Sequence, residues 1–169
     1  LNEQTIFHQN EKYYETRTET FGGVDFAERQ MVAFIPDALY YEWAYPITYL
    51  EVTPTYPKFA EKLGHRDLLG SVMNLGVDRG RVGDILVGDD KYVIICEESI
   101  APYFIEHLDK IKHTVVSVKS CSVEELEVQQ KFTDKDGIIT SNRLDSIIAC
   151  VYNFSRSQSL EYLKAEKVF

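Results

Sequence analysis

Hydrophobic and polar positions alternate in several short runs within the first 120 residues, and this pattern predicts β-strands. β-branched and aromatic residues dominate these runs, and glycine, proline or aspartate bounds them. The predicted strands are Met31–Ile35, the run "YPITYLEVT", the two halves of "DILVGDDKYVIICEE" and the run "HTVVSVK". The turn Gly88-Asp89-Asp90 between two β-branched runs favours a hairpin.

Hydrophobic residues at three- and four-residue spacing predict helices between these strands. One apolar face recurs from Phe59 to Leu75, and a second from Ile100 to Ile111. A polar helix is expected from Leu1 to Tyr14. Helices interspersed with short strands predict an α+β fold with mixed small sheets and packed helices.

The pattern changes after residue 120 and divides the chain into domains. We expect an α+β domain over 1–120, which the pattern allows to be split into 1–56 and 57–120, and a linker over the acidic, poorly periodic residues 121–140. Two short helices follow in 141–169. The first has Leu144, Ile147, Ile148 and Val151 on one face and Asn142 as its expected N-cap. After a break at Asn153, Ser155 and Gln158 match the capping box that opens a second helix.

The composition is that of an ordinary globular protein, with 44% hydrophobic and 27% charged residues. The net charge of −9 opposes indiscriminate binding to nucleic acid. Charge is uneven, however, because residues 62–91 hold five basic and five acidic residues and residues 141–169 hold four and three. A polyanion would have to bind on these two segments. Cys96, Cys121 and Cys150 have no paired spacing, which predicts reduced thiols and a cytoplasmic protein.

Catalytic and metal-binding motifs are not supported by the sequence. His65-Arg66-Asp67-Leu68 has the first residues of a kinase catalytic loop but lacks its later asparagine, and a phosphate-binding glycine loop is missing. The stretch "FTDKDG" lacks the outer carboxylates of a calcium loop. We therefore expect no enzyme activity, no metal and no cofactor.

Two groups of residues are candidates for contacts with an anion. The first is the start of the second C-terminal helix, where free backbone N–H groups and Arg156 favour a phosphate, with Arg143 at the start of the preceding helix. The second group contains Lys62, Arg66, Arg79 and Arg81. From charge alone, Arg79 and Arg81 fit solvated loop residues as well as phosphate contacts.

The stretch "RLDSIIACVYNFSRSQSLEYL" resembles the first part of the S4 RNA-binding domain. The upstream stretches "FGGVDFAERQMVAFIPD", "HRDLLGSVMNLGVDRGRVGDILV" and "EESIAPYFIEHL" resemble those of YlmH-type S4-domain proteins, which are encoded beside cell-division genes in Gram-positive bacteria. This resemblance implies a non-enzymatic protein that binds ribosomal RNA or tRNA, on the large ribosomal subunit, with links to ribosome quality control and cell division. It also implies that the middle region is a further RNA-binding domain.

The resemblance implies a set of RNA-binding residues: Arg143, Ser155, Arg156, Gln158, Lys164, Lys167, Arg66, Arg79 and Arg81. Three positions depart from the family pattern. Ser159 replaces a small alanine, Glu166 replaces a glycine, and Asp78 replaces a commonly basic residue. An S4 domain continues into further strands, so we expect the chain to be a fragment with a truncated S4 segment. The alternative function is a protein-interaction adaptor of the division machinery, acting through the acidic surfaces of 1–61 and 92–140.

Overall fold

The chain forms two compact units, residues 1–129 and 130–169. The computed structural model describes residues 2–38, 43–89, 91–125, 136–139 and 141–165. The helices are α1 Asn2–Asn10, α2 His65–Asn74, α3 Ala101–His107, α4 Leu144–Tyr152 and α5 Arg156–Lys164. The strands are β1 Arg17–Phe21, β2 Met31–Ile35, β3 Ile47–Pro54, β4 Val82–Val87, β5 Tyr92–Glu97, β6 Lys110–Ile111 and β7 Thr114–Cys121. The predicted α+β fold class is confirmed.

A five-stranded antiparallel sheet organises the first unit. Its strand order is β4-β5-β3-β7-β6, and β1 pairs with β2 in a separate antiparallel hairpin. With the two-residue strand β6 set aside, the strands of the main sheet and their helices follow the order β3, α2, β4, β5, α3, β7 along the chain. This is the β-α-β-β-α-β arrangement of ferredoxin-like folds, with the first and third strands in the centre.

The hydrophobic core joins the central strands to α2 and α3. Leu50 of β3, Ile94 of β5, Leu68 and Val72 of α2 and Phe104 of α3 are all fully buried and belong to one cluster. The cluster residues lie two apart along β3 and β5 and four apart along α2, so each of these elements packs one face against this core. The opposite face of β5 is buried as well. This core holds the elements of the first unit that carry Arg66, Arg79 and Arg81.

The predicted strands of the first unit are confirmed, including the hairpin of β4 and β5. Asp90 of its predicted turn lies outside the described residues. Two helix predictions had wrong boundaries. Helix α2 begins only at His65, because residues 57–59 form a 3₁₀ turn and residues 60–64 are irregular. Helix α3 ends at His107, and Ile111 is buried in β6.

The chain reverses direction after β6, and this explains why the second helix was predicted to extend to Ile111. Lys112 has a φ of 53° and lies in the tight turn that lets Ile111 pair with Thr114. Ile111 therefore reaches the core from a strand at a spacing that also fits a helix.

The second unit contains the helix pair α4 and α5. The predicted N-cap Asn142 is wrong, because α4 is capped at Arg143 without a side-chain hydrogen bond. Residues 126–135 and 140 of the predicted linker lie outside the described residues, and the domain boundaries stay a prediction. Within the described residues, no helix is long and apolar enough to cross a membrane.

The cysteines are free thiols. Cys96 is buried in β5, and burial raises the pKa of its thiol to about 12. It is therefore protonated and unreactive at neutral pH.

Candidate nucleic-acid interface

A sharp corner joins α4 to α5. Asn153 adopts the left-handed conformation (φ 55°, ψ 38°), which asparagine tolerates better than most residues. The next backbone N–H, that of Phe154, donates to the carbonyl of Ala149 at 3.0 Å. The predicted break at Asn153 is thus a helix C-cap, and it turns the chain directly into the start of α5.

The predicted capping box opens α5. Ser155 Oγ accepts a hydrogen bond from the backbone N–H of Gln158 at 3.3 Å, and Gln158 Oε1 accepts from the N–H of Ser155 at 2.9 Å. Ser159 is fully buried, and its hydroxyl donates to the carbonyl of Ser155 at 3.2 Å. A serine in place of the usual alanine is accommodated here because its hydroxyl is satisfied.

A buried carboxylate fixes the two arginines of this unit. Asp145 on α4 is only 3% exposed. Its Oδ1 accepts from Nε of Arg143 at 2.9 Å, and its Oδ2 accepts from Nε of Arg156 at 3.0 Å. Arg143 precedes α4 and Arg156 begins α5, so one carboxylate positions guanidinium groups from both helices. This arrangement needs the fold of the helix pair and was missed by sequence reasoning.

The electrostatics of this cluster favour a fixed ion network. Hydrogen bonds from Arg143, and then from Arg156, hold the pKa of Asp145 below its ordinary value. The carboxylate is therefore ionised at neutral pH. The arginine side chains are 62% and 64% exposed, and within the described residues their Nη groups donate no hydrogen bond to the protein. Each guanidinium thus presents donors to solvent that can bind a phosphate.

The sequence predicted two lysines as further contacts near the end of the chain. Lys164 is exposed on the last turn of α5. Lys167 lies outside the described residues.

Arg79 lies in a 3₁₀ turn that precedes β4, and its guanidinium faces the protein. It donates to the carbonyl oxygens of Val82 and Gly83. Burial, and then the neighbouring charge of Arg29, lowers the pKa of Arg79. Arg29 was not among the predicted residues, although it donates to the same Val82 carbonyl at 3.0 Å. Long-range contact between the β1–β2 hairpin and β4 creates this pair, so sequence spacing gave no signal for it.

Arg81 is paired within the protein. Its Nε lies 2.5 Å from a carboxylate oxygen of Glu97, and its Nη2 donates to the hydroxyl of Ser99. The hydrogen bond to Glu97 raises the pKa of Arg81, and the same bond lowers that of Glu97. The neighbouring Asp78 accepts from the N–H of Gly80 at 2.8 Å and so caps the 3₁₀ turn. The acidic residue at this family position has a structural role.

Arg66 is separated from Arg79 and Arg81. It lies exposed in the first turn of α2, whereas the 3₁₀ turn of Arg79 and Arg81 follows the end of that helix. A ten-residue helix spans about 15 Å. The basic cluster expected from sequence density is therefore two sites, one at each end of α2.

Comparisons with known proteins identify the family that this chain resembles. Residues 42–125 match the family model described as "Putative RNA-binding domain in YlmH". The curated "Ribosome-associated protein quality control protein P2" of Bacillus subtilis (strain 168) is 26% identical over 147 residues, which make up 85% of this chain and 56% of that protein. The chain thus spans little more than half the length of this relative.

A solved structure has the same fold. The "Cell division protein ylmH from Streptococcus pneumoniae" is 26% identical, with a TM-score of 0.55 over 73% of this chain and 74% of that chain. The family match lies on the β-α-β-β-α-β domain, and the other two matches extend over most of the chain. The chain is therefore similar to YlmH-type proteins over most of its length, as the sequence motifs predicted.

Proposed function

We propose that this chain is a non-enzymatic RNA-binding protein that acts on the ribosome. The observation that carries the proposal is the cluster of Arg143, Asp145 and Arg156. Two guanidinium groups are fixed by one buried carboxylate while their Nη donors face solvent. Such preorganised planar donors suit phosphate oxygens, and the capped start of α5 adds a favourable helix dipole.

Local charge supports RNA binding despite the acidic total. Residues 141–169 hold four basic and three acidic residues, and Asp145 is already occupied by two arginines. Repulsion from the acidic parts of the chain opposes the approach of RNA, but salt screens it beyond about 8 Å under physiological conditions. We therefore expect the chain to select RNAs that can contact the basic sites without lying close to the acidic segments.

The relatives suggest the finer assignments. The Bacillus subtilis protein is named for ribosome-associated protein quality control, and the matched family is named for an RNA-binding domain. We propose ribosomal RNA or tRNA on the large subunit as the ligand, and a cytoplasmic role in ribosome quality control. The predicted contacts are Arg143, Ser155, Arg156, Gln158, Lys164, Lys167, Arg66, Arg79 and Arg81.

Replacing Arg156 tests this proposal. Arg156→Ala should weaken RNA binding by the full chain and lower the slope of log affinity against log salt by about 0.7 to 0.9, the value of one lost phosphate contact. Arg17→Ala is the matched control, because Arg17 is 65% exposed and also paired with a carboxylate, that of Glu19. Binding can be measured by fluorescence anisotropy with a labelled ribosomal RNA stem-loop. Equal affinity and equal salt slope in the two variants would contradict the assignment of Arg156.

An adaptor of the division machinery is the second candidate. Phe7, Tyr14 and Phe34 form an aromatic cluster in the acidic N-terminal segment, and Phe34 is 51% exposed. The Streptococcus pneumoniae relative is named a cell division protein. A protein retained on the chain after nuclease treatment, and lost in Phe34→Ala, would favour this function.

A further inference from the structure

Two aromatic side chains project into solvent from the loop of residues 55–64. Phe59 is 86% exposed and Tyr56 is 64% exposed. Large aromatic residues usually bury most of their surface, because this burial contributes strongly to stability. Two of them three residues apart on one exposed loop favour a binding role.

Hydrogen bonds hold the 55–64 loop in place at several points. The Thr55 N–H donates to Val115 O at 2.9 Å, and the Glu61 N–H donates to Thr114 Oγ1 at 3.2 Å. Leu63 is buried, and its N–H donates to the hydroxyl of Tyr92 at 3.3 Å. The rings of Tyr56 and Phe59 are therefore presented by a loop that is anchored on β7 and on the core. A preorganised loop loses little conformational entropy when it binds.

The segments next to the 55–64 loop carry an excess of basic residues, unlike most of the chain. The 55–64 loop, the start of α2 and residues 109–113 together contain five basic side chains: Lys58, Lys62, Arg66, Lys110 and Lys112. The acidic residues of the same segments are Glu61, Asp67 and Asp109. Asp67 is neutralised by Lys112, whose Nζ lies 2.9 Å from its Oδ1. A net positive charge here, on a chain of net charge −9, is complementary to a polyanion.

The face of the sheet opposite the helices is unsuited to base stacking. In many proteins with this strand topology, aromatic residues on the two central strands stack on RNA bases. Here Tyr49 of β3 donates its hydroxyl to Gly23 O at 2.6 Å, so the hairpin segment lies against this strand. The adjacent Glu51 carboxylate is held by Lys119 at 3.0 Å and Lys91 at 3.8 Å. On this face of β3, Tyr49 is therefore engaged by the hairpin segment, and Glu51 supplies a carboxylate in place of an aromatic ring.

We propose that the 55–64 loop is a second RNA contact, on which Phe59 and Tyr56 stack with unpaired bases. Lys58, Lys62 and Arg66 would contact the phosphates that flank those bases. Aromatic rings interleaved with basic residues bind single-stranded RNA in this way. This inference rests on the proposed RNA-binding function. It specifies the ligand of the β-α-β-β-α-β domain as an unpaired RNA segment.

Stacking can be measured separately from charge. The full chain is titrated with a 12-nucleotide single-stranded RNA that contains 2-aminopurine, and with a duplex of the same sequence. Phe59→Ala should weaken binding to the single strand about tenfold, with the salt slope unchanged because no charge is lost. It should also reduce the change in 2-aminopurine fluorescence on binding. Phe59→Trp should restore both.

Two control variants complete the design. Phe34→Ala removes another half-exposed ring, in the acidic segment, and should leave RNA binding unchanged. Lys62→Ala should lower the salt slope by about 0.7. The thermal unfolding of Phe59→Ala should match that of the original chain, because the ring is exposed.

The outcomes separate this inference from the proposed function. Equal single-strand affinity for the original chain and Phe59→Ala would overturn the stacking site, whereas a response to Arg156→Ala would still support RNA binding. Loss of ribosome binding in Phe59→Ala with oligonucleotide affinity intact would identify a protein-docking surface and also overturn the inference. Failure of the original chain to bind any RNA would contradict both.

Discussion

At the scale of single residues, Asp145 joins the two arginines of the candidate interface. Its nearly buried carboxylate accepts from Arg143 and Arg156 and sets the direction of both guanidinium groups. The sequence predicted both arginines from their motif positions. It did not predict their shared partner, because Asp145 and Arg156 are eleven residues apart and meet only through the corner at Asn153. Local spacing carries no signal for such a contact.

Asp145→Asn should loosen the α4–α5 pair and weaken RNA binding. The amide carries no charge, so it loses the ionic hydrogen bonds and leaves Arg143 and Arg156 less well positioned. Because the folded-state pKa of Asp145 is lowered, its contribution to stability is present above the unfolded pKa of about 3.9 and is lost as the pH falls through the folded value. Amide chemical shifts of α4 and α5, followed from pH 7 to pH 2, measure this.

As the pH falls through the pKa of Asp145, the α4 and α5 amides of the original chain should lose their helical chemical shifts. In Asp145→Asn, the chemical shifts of these amides should already differ from those of the original chain at pH 7. Its pH response in that range should be smaller. An identical pH response in the two proteins would contradict a stabilising role for the Asp145 carboxylate.

At the scale of elements, most predictions from local chemistry succeeded, with the N-cap Asn142 an exception, and those that depended on distant contacts failed. The capping box of Ser155 and Gln158 was confirmed, because its hydrogen bonds join residues three apart. The hairpin of β4 and β5 was also confirmed, because a short turn joins its two strands. The helical assignment of Ile111 was wrong, because a tight turn at Lys112 and pairing with β7 override the local spacing.

Substitutions at Ser155 separate helix capping from RNA contact. Ser155→Ala should destabilise the helix pair by about 1 kcal/mol, the usual cost of a lost N-cap. Ser155→Asp should retain the stability, because aspartate is a good N-cap and favours the helix dipole. It should nevertheless weaken RNA binding, since its carboxylate repels phosphate.

Urea denaturation followed by the α5 amide signals measures stability, and anisotropy measures affinity. Undiminished RNA affinity in Ser155→Asp would place the RNA away from the start of α5.

At the scale of the whole molecule, an acidic protein carries separate basic sites. The charge pattern predicted that residues 62–91 and 141–169 would hold these sites, and the fold divides the first of them between the two ends of α2. The strand order β4-β5-β3-β7-β6 was not predicted, because pairing between distant strands leaves no local pattern. The exposure of Phe59 also required the structure, since its spacing fits the apolar face of a helix.

Ultraviolet crosslinking of the full chain to RNA in cells, followed by mass spectrometry of the crosslinked peptides, tests the central claim most directly. The account predicts ribosomal RNA or tRNA crosslinks in two segments, around Tyr56 and Phe59 and around Arg156. Peptides from the acidic α1–β2 segment should be free of RNA and serve as the internal control. Crosslinks confined to that acidic segment, or recovery of the chain without RNA, would contradict the account.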